Sequence, residues 1–113
     1  MTCKKWDIVL LPFPFSDLQA VKKRPGLVIS PDKHNKSDKN VIIVFMTSMI
    51  NSEKRIGDYS ITNWQESGLP KPALLRMQFN TIPKSNIEKI IGQLDPQDQE
   101  NFTSVLQSFL LGD

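Results

Sequence analysis

Pro12-Phe13-Pro14-Phe15-Ser16-Asp17, followed by Lys22-Lys23-Arg24-Pro25 and the apolar run Gly26-Leu27-Val28-Ile29, is the most informative stretch of this chain. It reads as an aromatic corner, a basic cluster and the start of a buried strand. Pro25 has a fixed φ and biases Arg24 toward extended backbone, so the arginine is carried on a rigid element. Its guanidinium fork can grip two phosphate oxygens at once, with a charge that does not titrate away. The next apolar run, 41–45, ends in Met46-Thr47-Ser48, which brings hydroxyls out near the same sheet edge. A positive fork beside hydroxyls suits an RNA phosphodiester. Composition alone favours the plainer alternative, a solvated loop with an ordinary Lys/Arg turn.

Outward from that stretch, periodicity predicts a mainly β domain. Residues 8–13 read as a buried strand closed by Pro12 and Pro14. Residues 16–23 read as a polar loop, 27–29 as a second strand, 35–40 as another polar loop and 41–45 as the strongest strand. Residues 57–62 alternate weakly as a fourth strand, 73–75 form a fifth, and 79–82 a short continuation. Ser85-Asn86-Ile87-Glu88 has capping-box spacing, and Ile87, Ile90, Ile91 and Leu94 fit helical periodicity. Gly92 weakens that helix, and a turn followed by a strand fits equally well. Asp95 as N-cap, Pro96 at the first helical position and Asp98 in the first turn open a final helix, with Phe102, Val105, Leu106, Phe109 and Leu110 on its core-facing side. Several short strands with turn signals and one terminal helix describe a small antiparallel barrel or curled sheet.

The totals narrow the function classes. The 113 residues suit one domain, 1–113, and 39% hydrophobic with 23% charged residues is ordinary for a globular protein. The start of the chain has no secretory apolar region and no stretch reaches the ~20 apolar residues of a membrane helix, so a cytoplasmic location without membrane contact is expected. Cys3 is the one cysteine and His34 the one histidine. No disulfide, metal or cofactor is therefore expected, and His34 reads as exposed. The net charge of +2 is mild, but its distribution is uneven. Lys4, Lys5, Lys22, Lys23, Arg24, Lys33, Lys36 and Lys39 crowd the first 40 residues, whereas 95–113 has no Lys or Arg. One basic region is compatible with an anionic partner.

Taken in order, PFPFSD, KKRPGLVIS, VIIVFMTS, ESGLPKPALLR, IIGQLDPQD and the final helix resemble the MazF/PemK family of toxin endoribonucleases of type II toxin-antitoxin systems. The resemblance covers almost the whole chain. It implies an SH3-like barrel of the plasmid-maintenance toxin type with a C-terminal helix, a homodimer, metal-free cleavage of single-stranded RNA, and inhibition by a cognate antitoxin. By position it makes Arg24 the arginine of the family's Arg-Pro motif, Thr47 the threonine closing the central strand, and Arg76 a second arginine that some members use. These three are the expected catalytic residues. Phe15, Ser16, Asp17, Gln19, Lys22, Lys23, Ser48 and Gln78 are the expected RNA-contacting set, Phe15 because a flat aromatic face stacks on unpaired bases.

Three departures from the family pattern stand out. Gln19 occupies the place of a common glutamate, and Gln78 that of an aspartate; neither amide takes a proton at neutral pH. Trp6 replaces a glycine ahead of the first strand, which bears on that strand's geometry. Two alternatives to a nuclease follow: a non-catalytic RNA- or protein-binding module on the same barrel, or a gyrase-poisoning relative that uses its terminal helix.

Overall fold

The computed structural model describes residues 2–13, 22–48, 51 and 53–112. Six strands form one sheet: β1 (Asp7–Phe13), β2 (Lys22–Val28), β3 (Asn40–Thr47), β4 (Tyr59–Ser60), β5 (Leu74–Pro83) and β6 (Lys89–Gln93). Their order is β4-β5-β3-β2-β1-β6, and every pairing among them is antiparallel. Among the described residues the sheet is accompanied by two α-helices, α1 (Asp32–Ser37) and α2 (Pro96–Leu111). The mainly β architecture with a terminal helix is the one expected.

The apolar runs are continuous because both faces of the sheet are covered. Ile8, Leu27, Val44, Met46 and Leu75 turn to one side with Leu94 and Phe102. Their neighbours Val9, Leu11, Val28, Val41 and Ile43 turn to the other with Cys3, Ile82 and Ile87. Burial and the nearby Asp7 carboxylate push the Cys3 thiol's pKa up.

The sheet curls, and its ends meet through a turn. After β4 the chain runs to Ser67, whose carbonyl accepts from Gln93 N (3.2 Å) and whose hydroxyl accepts from Asp95 N (2.9 Å). Gly92 is what permits this approach: a Cβ there would lie 2.0 Å from the Ser67 carbonyl oxygen. The glycine that counted against a helix over 87–94 thus serves strand β6, and of the capping-box residues Ser85 and Asn86 fall in a 3-10 turn, Lys84–Asn86, that ends at Ile87. Trp6 stands at φ 77°, left-handed backbone that costs a side-chain-bearing residue on the order of 1–3 kcal/mol. It is held there because its N–H donates to Val28 O (2.7 Å) and its carbonyl accepts from Leu94 N (2.9 Å). The first strand forms despite the missing glycine.

Several local expectations change. Strand β2 begins at Lys22 rather than within 27–29, so Lys22 and Lys23 belong to a strand and not to the preceding loop. The polar stretch 35–40 contains the second half of α1, whose Asn35 is buried and hydrogen-bonded where the helix has no side-chain cap. Asn35 Nδ2 donates to Ser30 O (2.9 Å), and Lys84 Nζ donates to Asn35 O (2.7 Å). His34 is half-buried rather than exposed, its Nε2 lying 3.1 Å from Asn40 O. The fifth strand and its continuation are one strand, β5, interrupted opposite Val44/Phe45 by a bulge.

Helix α2 starts as its sequence indicates, with Asp95 accepting from Gln97 N (3.1 Å) and Pro96 in the first turn. Phe102 is fully buried and its ring meets Tyr59 at 5.7 Å; truncating such a side chain to alanine costs about 3–5 kcal/mol. Phe109 and Leu110 do not face the core as expected. They are 43% and 56% exposed, and Phe109 lies against the turn at Gly57 instead of entering the core around Phe102.

Candidate functional site

The ladder between β2 and β3 runs only from Gly26↔Phe45 to Val28↔Ile43. Pro25, which has no N–H to offer, stands where it stops. Beyond that point the strands part, and carrying the register two residues further sets Arg24 level with Thr47. Arg24 remains braced on its other side, opposite Leu11 of β1. The rigid arginine and the strand-ending threonine expected from the sequence thus flank a gap in the sheet.

Two recesses open at this gap. The smaller, about 150 Å³, is lined by Arg24, Phe45, Met46, Thr47, Arg76 and Gln78. The larger, about 420 Å³, shares Arg24, Met46 and Thr47 and adds Lys23, Ser48 and Lys71 over an apolar floor that includes Leu10, Leu69 and Ile91. Arg76 reaches the small recess because β5 pairs it with Phe45, next to the bulge that accommodates Met77 and Gln78; bulges commonly re-aim side chains beside sites.

Arg76 is held at two points by a carboxylate. Its Nε donates to Asp58 Oδ1 (3.1 Å) and its Nη2 to Asp58 Oδ2 (2.9 Å), with a longer contact from Nη2 to Glu53 O (3.4 Å). The pair is 14% exposed at the arginine and 4% at the aspartate, so it is screened far less than a surface ion pair. The Arg76 hydrogen bonds hold the Asp58 carboxyl below its ordinary range, and the same contact raises the guanidinium's pKa.

The other expected residues are distributed as follows. Lys23 lines the larger recess, but its ammonium contacts Glu88 at 2.7 Å on the exposed side of the sheet. Ser48 is exposed at the rim of that recess, and Gln78 is exposed in the smaller one. Lys22 lies in β2 with its side chain outside the described residues; Phe15, Ser16, Asp17 and Gln19 lie outside them altogether. The structure adds Asp58 and Lys71. Asp58 falls inside the weak fourth strand expected over 57–62 and carries no signal of its own; its partner becomes visible only once β4 pairs Tyr59 with Leu75 and brings position 58 level with Arg76. Lys71 lies in a proline-flanked loop with no local signal.

Chemically, the small recess joins two permanently charged forks, a hydroxyl and an amide. Among the described residues, no carboxylate or imidazole lines it. Such a set can bind a phosphodiester and stabilise negative charge growing on its non-bridging oxygens.

The chain matches, over residues 4–110, the family described as PemK-like, MazF-like toxin of type II toxin-antitoxin system. No curated protein matches it. Among solved structures it resembles the Mycobacterium tuberculosis toxin MazF-mt6, with a TM-score of 0.75 at 17% identity, covering 95% of this chain and 98% of that one. A MazE-MazF crystal structure from Deinococcus radiodurans gives 0.75 at 17% identity with both chains fully covered. An endoribonuclease in complex with its cognate antitoxin from a mycobacterial species gives 0.73 at 14% identity, covering 96% and 93%. The chain belongs to the PemK/MazF toxin family of type II toxin-antitoxin systems, whose members include endoribonucleases.

Proposed function

We propose that this toxin is a sequence-selective endoribonuclease that cuts single-stranded messenger RNA without a metal ion. The observation that supports it best is the small recess at the parted strands, where Arg24, Thr47 and Arg76 converge. In this reading the RNA's own 2′-hydroxyl attacks the adjacent phosphorus. The O2′–P bond forms, the P–O5′ bond breaks, and the products are a 2′,3′-cyclic phosphate and a free 5′-hydroxyl. Arg24 and Arg76 stabilise the charge on the non-bridging oxygens and Thr47 donates its hydroxyl to one of them, interactions that strengthen as that charge grows. Charge stabilisation thus comes from guanidinium groups fixed on strands.

Proton transfer is the weaker part of this active site. Gln19 and Gln78 cannot act as bases, and a positioned base contributes about 10²–10⁴-fold. In this reading the 2′-hydroxyl proton leaves to solvent and the 5′-oxygen takes one from it, which makes a slow enzyme. The RNA strand runs over Ser48 and Lys23, and Lys22, Phe15, Ser16, Asp17 and Gln19 are proposed as further RNA contacts on the sequence pattern alone. The active species is a cytoplasmic homodimer, restrained by a cognate antitoxin protein.

The test is digestion of a long defined RNA, with chelator present, by wild type and Arg24→Ala, reading both fragment ends. Discrete cuts with cyclic phosphate and 5′-hydroxyl ends are expected, falling about 10²–10³-fold in the variant, the cost of losing one donor to a developing oxyanion. Full cutting by Arg24→Ala would remove this mechanism. No cutting by either protein would leave a binding module, recognised by RNA affinity that falls with salt without fragments.

A further inference from the structure

We propose that Asp58 is a positioning residue for RNA cleavage, holding the Arg76 guanidinium in the orientation in which it meets the substrate phosphate; this rests on the reading of the small recess as the cleavage site. The pairing is side-on. Asp58 accepts from Nε and Nη2, so the described contacts of Arg76 leave both N–H groups of Nη1 for a ligand. A two-point contact fixes the plane of the guanidinium as well as its place.

The carboxylate is itself fixed. Asp58 Oδ2 accepts from Arg55 N (2.8 Å), and Asp58 N donates to Arg55 O (3.0 Å), so the turn 55–58 closes on both sides of the residue. That turn is tightly packed at its glycine. Gly57 stands at φ +89°, and a Cβ on it would lie 2.5 Å from Met77 Cγ and 2.8 Å from Phe109 Cδ1. The bulge residue Met77 of β5 and Phe109 of the terminal helix thus pack against the turn, the turn bonds Asp58, and Asp58 clamps Arg76. A flexible arginine at a recess rim would lose rotamer freedom on meeting RNA; here that ordering is complete before the substrate arrives.

The experiment measures kcat and KM for a short RNA containing one cut site, with Asp58→Asn, Asp58→Ala, Arg76→Ala and the double variant Asp58→Ala/Arg76→Ala, each normalised to folded protein. Asp58→Ala is expected to lower kcat by up to about 10²-fold with a much smaller change in KM, the size of effect that misplacing a positioned group produces. Asp58→Asn keeps one acceptor and is expected to lose less. In the double variant the loss should equal that of Arg76→Ala alone, because a residue acting through Arg76 has nothing left to position. Wild-type kcat in Asp58→Ala beside a crippled Arg76→Ala would overturn the proposal, as would losses that multiply in the double variant. Wild-type cleavage by Arg76→Ala would remove the premise that Arg76 acts at the site, and failure of the unmodified protein to cut would fall on the ribonuclease reading itself. If the variants fold poorly, side-chain NMR of the unmodified protein decides. On adding an RNA with a 2′-deoxy sugar at the cut, the Arg76 Nε–H should keep its slow exchange while Nη1 shifts; loss of that protection would mean that RNA displaces Asp58, and would overturn the proposal.

Discussion

Asp58 and Asp98 lie on either side of the same short strand, and both are carboxylates withdrawn from solvent, yet they serve different ends. Asp98, fully buried in the first turn of α2, accepts from the Tyr59 hydroxyl, Thr62 N (2.9 Å) and Asn63 N (2.8 Å). All three donors are neutral and belong to the frame, so this carboxylate ties the terminal helix to the segment after β4. Burial, and then the bond to Asp98, push the Tyr59 hydroxyl's pKa up, which keeps it a donor. Asp58 accepts from a backbone N–H and from the charged fork of Arg76, a residue that lines the recess. The same side chain type thus holds the fold together in one place and faces the chemistry in the other, and the charge of its partner makes the difference.

Substitutions can separate the two roles. The largest stability effect is expected for Asp98→Ala, which removes a fully buried carboxylate and its three part-buried hydrogen bonds, from the Tyr59 hydroxyl, Thr62 N and Asn63 N; a hydrogen bond to a charged group contributes about 1.5–3 kcal/mol, so the loss should reach about 3 kcal/mol or more. Urea unfolding measures it, while cleavage per folded molecule should stay near wild type. A large activity loss at full stability would erase the distinction.

A smaller, pH-dependent effect is expected at Asp58. Its folded pKa is lowered by Arg76, so the stability it contributes is fully present above the unfolded aspartate value, about 3.9, and is lost as pH falls through the folded value. The melting-temperature gap between wild type and Asp58→Asn should therefore be constant from pH 7 to 5 and close on further acidification. A gap unchanged down to pH 2 would show that ionisation is not what the pair contributes. The smallest effect is expected for Lys23→Ala. Its contact with Glu88 is about half exposed, so thermal or urea unfolding should register at most about 1 kcal/mol. A loss of 2 kcal/mol or more would make that ion pair part of the frame.

Much of this molecule could be read from neighbouring residues. The Asp95-Pro96 helix start, the apolar strands and the Arg24-Pro25 unit depend on local chemistry: a cap, a fixed φ, a run of branched side chains. Where reading failed, a distant group decided. Asn35 sits buried in a helix where Lys84, 49 residues further on, donates to its carbonyl. Phe109 and Leu110 were expected in the core, since periodicity shows which face of a helix is apolar but not how far the surface beneath it extends.

The candidate site divides the same way. Arg24 and Thr47 were legible as a rigid arginine and a strand-ending hydroxyl, and the tertiary structure brought them level by ending one ladder at Pro25. That Arg76 shares their recess, and that a carboxylate eighteen residues before it in the chain clamps it, depends on a bulge and on the register of a two-residue strand. Such pairings are set by the closure of the whole sheet, because each strand's register is settled by the core that all of them bury together, and no single segment contains that information.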